Sequence, residues 1–212
     1  MPNDINRIHE FIPELSDQLV DKFLAYFDIL EDFNGKMNLV SQSSLPHAGM
    51  KHFADSYYGL QFILDKMPQG HVVYDLGSGN GFPGTILSLL RPDLKIVMVE
   101  RDLRKGEFLK HLNFSLAVKN SEVFVGDVKE LKNDICDVAI SRAMSPMPRM
   151  LLEAREFMKT SGHLYLFKNE YWTSEFSAIP PQLFDYWEVD VLNSYQLHKT
   201  DIQKFIVDCT RV

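Results

Sequence analysis

Gly77, Gly79 and Gly81 alternate through the run Val73-Tyr74-Asp75-Leu76-Gly77-Ser78-Gly79-Asn80-Gly81-Phe82-Pro83-Gly84. Residues without a Cβ let a backbone turn sharply and approach a ligand closely. A helix starting at Pro83, whose missing N–H would be unpaired there anyway, offers free amide N–H groups beside that loop. Glu100 follows about 20 residues later, the distance at which a carboxylate at the end of the next strand accepts both hydroxyls of a ribose. Together these residues describe a nucleoside site.

The run fits two fingerprints. From Gly79 it reads G-x-G-x-x-G, the dinucleotide pattern. From Asp75 it reads D-x-G-x-G-x-G, the signature of S-adenosylmethionine (SAM) methyltransferases, in which the acid favours a cationic methionine amino group directly or through water. Two details favour SAM: the first dinucleotide glycine comes late, after Gly77-Ser78, and Asp75 sits where the strand enters the loop. A glycine turn without a ligand is the plain alternative.

Other residue patterns exclude chemistries. N-methylation of the adenine amino group commonly uses Asp/Asn-Pro-Pro-Tyr/Phe after the fourth strand, where this chain has Ser141-Arg142-Ala143-Met144-Ser145-Pro146. Methylation of cytosine carbon 5 needs a thiolate, and Cys136 stands before that strand. No G-x-S-x-G elbow exists for a serine hydrolase. His52, Asp55 and Ser56, at i, i+3 and i+4, share a helix face without a strand-end nucleophile, so they read as a polar interface or binding group rather than a triad. His47 and His111 make no convincing metal pattern, and no metal is expected.

The elements that must position these residues fall into two stretches. In residues 13–34, Leu15, Leu19, Phe23, Phe27, Leu30 and Phe33 recur every three or four positions, which predicts an amphipathic helix with Pro13 in its first turn. A second helix is predicted over 49–67, after the polar connector 41–46. From Gly70 short β-rich runs alternate with helical ones, the pattern of a mostly parallel sheet covered on both faces. Strands are predicted over 71–76, 95–100, 122–125, 137–141, 163–167, 187–192 and 204–209, and helices near 83–90, 104–117, 148–160 and 170–178. The last two strands, with no helix-length segment between them, suit an antiparallel pair at one edge. The division predicted is a helical N-terminal extension, 1–68, and a nucleoside-binding domain, 69–212.

The 212 residues include 22 Lys+Arg and 29 Asp+Glu, a formal net charge of −7, which argues against non-specific coating of nucleic acid. That average hides a distribution. Residues 1–60 hold 4 basic and 9 acidic side chains and residues 151–212 hold 6 and 9. Arg101, Arg104, Lys105 and Lys110 follow the second strand, Arg142 and Arg149 the fourth, and Lys168 the fifth, so cations gather where ligands bind in such sheets. Cys136 and Cys209 lie in apolar runs and read as packing residues. Without an apolar leader or a stretch of about 18 apolar residues, the chain reads as soluble and cytoplasmic.

Several motifs together resemble the RsmG (GidB) family of small-subunit ribosomal RNA guanine methyltransferases. Phe33-Asn34-Gly35-Lys36-Met37-Asn38-Leu39 is similar to the family's W-N-x-x-x-N-L, and Lys51-His52-Phe53-Ala54-Asp55-Ser56 to its R-H-x-x-D-S. Asp75 to Gly84, with Gly81-Phe82-Pro83-Gly84, and Ile140-Ser141-Arg142-Ala143 complete the series. The resemblance covers most of the chain and implies a Rossmann-like class I SAM methyltransferase fold with a seven-stranded, mostly parallel sheet. It implies SAM as cofactor and methyl transfer to N-7 of a guanine in 16S rRNA, within the small ribosomal subunit or an assembly intermediate. A monomer is expected.

Carried over by position, the resemblance puts Gly77 and Phe82, with Asp75 and Gly79, against SAM. Glu100, with Arg101 and Asp102, holds the ribose; Val128 and Lys129 lie beside the adenine; Arg142 lines the site as an anchor. The family commonly has a carboxylate where this chain has Lys129, which hands the adenine amino group to Asp127 or backbone atoms. His52, Asp55, Ser56, Arg104, Lys105, Arg149 and Lys168 are the candidates for RNA contact. Guanine N-7 has a free lone pair, so no general base is expected. A SAM enzyme acting on a small molecule, and a non-catalytic nucleotide-binding module of the ribosome, are the rival readings.

Overall fold

The computed structural model describes residues 3–197 and 200–212, so the first two residues of the expected extension 1–68 lie outside them. A helical turn α1 (Ile8–Phe11) leads into the long helix α2 (Asp17–Met37). Ser16, not Pro13, starts α2: its Oγ accepts the Leu19 N–H at 3.4 Å, the bond a serine N-cap makes better than a proline can. Phe23, Tyr26, Phe27, Leu30 and Asn34 form the buried stripe of α2. Asn34 closes its far end by accepting the Val40 N–H at 2.8 Å.

The helix predicted over 49–67 is divided. A wide π-type turn (Gly49–Ala54) passes into α3 (Asp55–Gln61), and a 3-10 turn (Leu64–Lys66) ends the segment. Its first residue explains the widening. Gly49 donates its N–H to Asp4 at 2.7 Å, and a Cβ there would meet the Ile5 backbone at 3.0 Å. The close approach of the N-terminal turn therefore sets the local geometry, which a periodicity argument does not contain.

From Val72 the chain builds one seven-stranded sheet in the order β3-β2-β1-β4-β5-β7-β6. The strands are β1 (Val72–Leu76), β2 (Lys95–Glu100), β3 (Ser121–Val125), β4 (Cys136–Arg142), β5 (Met158–Asn169), β6 (Trp187–Gln196) and β7 (Gln203–Arg211). The first five are parallel; β7 runs antiparallel to β5 and β6, the edge pair expected. Helices α4 (Gly84–Leu90), α5 (Leu103–Ser115), α6 (Met147–Ala154) and α7 (Trp172–Ser177) follow β1, β2, β4 and β5. The predicted helix 148–160 stops early, because residues 157–158 pair with the start of β4: Phe157 O accepts the Ile135 and Cys136 N–H groups at 3.0 Å.

Each sheet face has its own core. Phe23, Tyr26, Leu30 and Phe53 of the N-terminal segment share one cluster with Phe82, Ile96, Phe108 and Ile140. Leu76, Val99, Met150, Leu151 and Trp187 form the other. The chain fills β1, β2 and β3 in one direction and then returns to β4 on the other side of β1. That reversal opens a crevice at the carboxyl ends of β1 and β4, where sheets of this kind hold ligands.

Candidate functional site

A cleft of about 530 Å³ lies at this switch point, large enough for a nucleoside-sized ligand. At its floor Gly77 and Gly79 have φ of 70° and 51°, left-handed values that favour glycine. A Cβ on Gly77 would meet Met144 Cγ at 2.6 Å, so the loop and the segment after β4 touch only because that side chain is missing. The Gly79 N–H donates to Glu100 Oε2 at 2.8 Å, and the Asp102 N–H donates to Oε1 at 2.8 Å. Glu100 is thus fixed at the end of β2, and each oxygen keeps a second acceptor site.

Asp75 lies under the loop rather than along the cleft. Its Oδ2 accepts the Gly84 N–H at 3.2 Å, whereas Oδ1 is buried without a hydrogen-bond partner among the described residues. Burial pushes its carboxyl up to about 7, opposed by bonds from Ser78 and Gly84 and by the charge of Arg142. From beneath the loop this carboxyl favours positive charge above it through the field it sets up or through water, without touching the cleft. A Cβ on Gly79 would find nothing nearer than 3.6 Å, so the floor is also open to a ligand. The residues present therefore fit a SAM nucleoside, with Glu100 for the ribose and the glycine loop beneath it.

Beyond β3, Asp127 and Val128, expected beside the adenine, line the cleft. Asp127 caps a short 3-10 turn by accepting the Lys129 N–H at 3.0 Å. Lys129 itself does not line the cleft; it pairs at 3.5 Å with Glu153, whose side chain does. Arg149, which does, pairs with the same carboxylate at 3.0 Å.

The opposite end is built around Arg142. Its Nη1 donates to Asp55 Oδ2 at 3.2 Å, its Nη2 lies 3.4 Å from His52 Nδ1, and its guanidinium stands 5.1 Å from the Phe82 ring centre. Because arginine only donates, His52 Nδ1 is the acceptor and the imidazole carries its proton on Nε2. Burial, with Arg142, Lys204 and Lys51 adding repulsion, holds His52 down at about 3, so it is neutral at pH 7. Phe82 is clamped in turn, stacked on Tyr26 at 4.7 Å and edge-on to Phe53 at 4.8 Å. Immediately after Arg142, Ala143 takes a φ of 58°, a strained value for a residue with a Cβ, and turns the chain over the cleft.

His52 and Asp55, expected as a polar pair, are therefore brought directly onto Arg142. Ser56 is not: it is fully buried on another side of the helix, and its Oγ has no partner among the described residues. Arg101, Lys105 and Lys168 line the cleft, with Lys168 tied to Glu175 at 2.7 Å. Asp102 and Arg104 stand outside it. Asp102 caps α5 through the Arg104 and Lys105 N–H groups at 2.9 and 3.1 Å, and Arg104 donates to the Lys36 carbonyl at 3.0 Å.

Several lining residues were not among the sequence candidates, Lys51, Glu153, Tyr195, Lys204 and Met144 among them. Tyr195 of β6 donates to Asp55 at 2.9–3.0 Å, through either the backbone oxygen or Oδ1, and Lys204 of β7 comes within 3.9 Å of the same carboxylate. Met144 covers Gly77. No local motif marks Tyr195 or Lys204; the signal would have been long-range pairing. Met144 sat inside the quoted segment 141–146 without a pattern to distinguish it.

Comparisons with known proteins bear on the family and the fold. The model of the GidB family, rRNA small subunit methyltransferase G, matches residues 19–200. Ribosomal RNA small subunit methyltransferase G 3 of Bdellovibrio bacteriovorus is 34% identical over 191 residues, covering 90% of this chain and 86% of that relative. Ribosomal RNA small subunit methyltransferase G of Paracoccus denitrificans is 32% identical over 192 residues, covering 90% and 94%. Among solved structures, YcgJ of Bacillus subtilis has a TM-score of 0.57 at 13% identity, covering 75% of this chain and 98% of its own. A mutant of MtNAS in complex with S-adenosylmethionine has a TM-score of 0.58 at 16% identity, covering 85% and 72%. These structural likenesses establish the fold, a Rossmann-like seven-stranded sheet, and the sequence matches establish that the chain belongs to the rRNA small subunit methyltransferase G family.

Proposed function

We propose that this protein transfers the methyl group of SAM to N-7 of a guanine in 16S rRNA of the small ribosomal subunit. The observation that carries the reading is the Arg142 fork, fixed over Phe82 by Asp55 and His52 at one end of a cleft whose other end presents Glu100. The family's named activity supplies the substrate class. The cleft supplies the means.

Bound SAM supplies an electrophilic methyl on a sulfonium, with a neutral thioether as leaving group. Guanine N-7 brings its own lone pair, so the protein has no proton to remove before attack. His52 fits that requirement, because an imidazole held at about 3 is a weak base at neutral pH. The chain's task is placement, an effect worth several kcal/mol of barrier. Glu100 and the glycine loop hold the nucleoside, Met144 and Phe82 wall the reacting end, and Arg142 anchors a carbonyl, carboxylate or phosphate oxygen beside it. The helical extension 1–68 contributes His52 and Asp55 and, in this reading, helps place the RNA on the SAM domain 69–212. Among the described residues no helix is long and apolar enough to cross a membrane, and a cytoplasmic monomer fits a ribosomal substrate.

The test is methyl transfer from labelled SAM to small ribosomal subunits and to deproteinised 16S rRNA from cells lacking the gene. One new 7-methylguanosine, located by mass spectrometry, is the expected result. Transfer to metabolites but not to RNA would refute the reading.

A further inference from the structure

Lys51, in the wide turn before α3, and Lys204, in β7, line the same end of the cleft as Arg142. Both are partly buried, and neither ammonium group has a hydrogen-bond acceptor among the described residues. The nearest carboxylate to Lys204 is Asp55 at 3.9 Å, which already accepts from Arg142 at 3.2 Å and faces the Tyr195 hydroxyl at 3.0 Å. His52 between them is neutral, and the three cations that depress it are Arg142, Lys204 and Lys51. Arg142 and Lys204 share the single carboxylate of Asp55, and Lys51 adds a third cation beside His52, so positive charge is in surplus at this end. Partly desolvated cations without a counter-charge are costly, and a bound anion removes that cost.

We infer that Lys51 and Lys204 form, beside Arg142, a subsite for backbone phosphate of the RNA strand next to the target nucleotide. The inference rests on the RNA methyltransferase reading and adds the residues that hold the strand. The methionine end of SAM carries a carboxylate and an ammonium group, so it brings no net negative charge to offset the surplus. An RNA strand brings one negative charge per nucleotide. Of the acids that line the cleft, only Asp55 stands among these cations; Glu100, Asp127 and Glu153 lie on the side of β2, the Asp127 turn and α6, where the nucleoside belongs, and the cationic end is left for the strand. The two lysines also come from the N-terminal segment and the antiparallel edge, outside the β1–β2 half that holds the cofactor. This explains how an acidic chain grips RNA: a few local contacts replace a general positive field.

The experiment measures KM for small ribosomal subunits as a function of KCl, with the SAM Kd obtained by calorimetry. Lys51→Gln and Lys204→Gln should each raise KM several-fold, and together about tenfold, while flattening the slope of log KM against log salt by about 0.7 per lysine. The kcat and the SAM Kd should stay at wild-type values. Lys51→Arg and Lys204→Arg should retain the wild-type salt slope, which separates charge from folding. Lys66→Gln, an exposed lysine outside the cleft, should change nothing. A raised SAM Kd with an unaltered salt slope would assign the lysines to the cofactor and overturn the subsite. Unchanged values for both Gln variants, with the wild type still methylating rRNA, would overturn the subsite alone; a wild type that methylates no RNA would overturn both readings.

Discussion

The two ends of the cleft are built in opposite ways. The nucleoside end is local: Asp75, Gly77, Gly79 and Glu100 lie within one β-loop-α-β unit, tied by the backbone N–H groups of Gly79, Gly84 and Asp102. The Arg142 end is assembled from distant segments, joining β4 to Asp55 across 87 positions and Asp55 to Tyr195 across 140. A local site is fixed as soon as its loop folds. An assembled site depends on how the helical extension and the antiparallel edge dock on the sheet. The first suits a constant ligand and the second a variable, bulky one.

The largest effect expected from disturbing this contrast is at Asp75. Burial raises its folded pKa from 3.8 to about 7, so the folded state holds the proton more tightly than the unfolded chain does. Stability should therefore fall as pH rises from about 4 to about 7, and the full penalty should persist above that window. Asp75→Asn should remove this slope, stabilise the SAM-free protein above pH 7 and weaken SAM binding. Urea denaturation from pH 4 to pH 8, with calorimetry of SAM, checks both; an unaltered pH slope would show that the carboxyl is not the titrating group.

Next comes Gly77→Val, which forces a branched side chain into left-handed φ and onto Met144. Strain and overpacking together should cost about 3 kcal/mol of stability. If the variant unfolds at the wild-type urea midpoint, the Gly77–Met144 contact does not hold the loop in place.

At the assembled end, Arg142→Lys keeps the charge and loses the two-pronged grip on Asp55 and His52. The single-turnover methylation rate should fall about tenfold or more, equivalent to about 1.4 kcal/mol, with the SAM nucleoside still bound. Unchanged single-turnover rates would remove Arg142 from the site. Tyr195→Phe deletes one hydroxyl while retaining the ring that tilts against Phe62 at 5.7 Å. The loss should be about 1 kcal/mol. A double-mutant cycle with Asp55→Asn should show that the two changes are not additive; simple additivity would mean that Tyr195 does not act through Asp55.

How much was legible follows the same division. The glycine run, Glu100 and the strand-helix alternation could be read because turns, φ and period are properties of neighbouring residues. The orientation of Asp75 could not be read, since a strand-end acid looks alike whether it faces the cleft or lies beneath it. Lys129 shows a related gap: expected at the site, it pairs with Glu153 on α6 and does not line the cleft. Pro13 and the helix predicted over 49–67 misled because capping by Ser16 and the close approach of Asp4 to Gly49 overrule periodicity.

By itself, then, the sequence determined the kind of sheet, the nucleoside loop and the family motifs, since each is written in residues close together in the chain. Only the tertiary structure decided which cations are free and which are spent on partners. Charge pairing depends on distances between side chains: Arg149 and Lys168 meet Glu153 and Glu175 at 3.0 and 2.7 Å, whereas Lys204 reaches only the Asp55 carboxylate that Arg142 already holds, at 3.9 Å, and Lys51 faces the cleft beside it. The net charge of −7 carries none of that information, because an average over the surface is silent about the few ångströms that make a site.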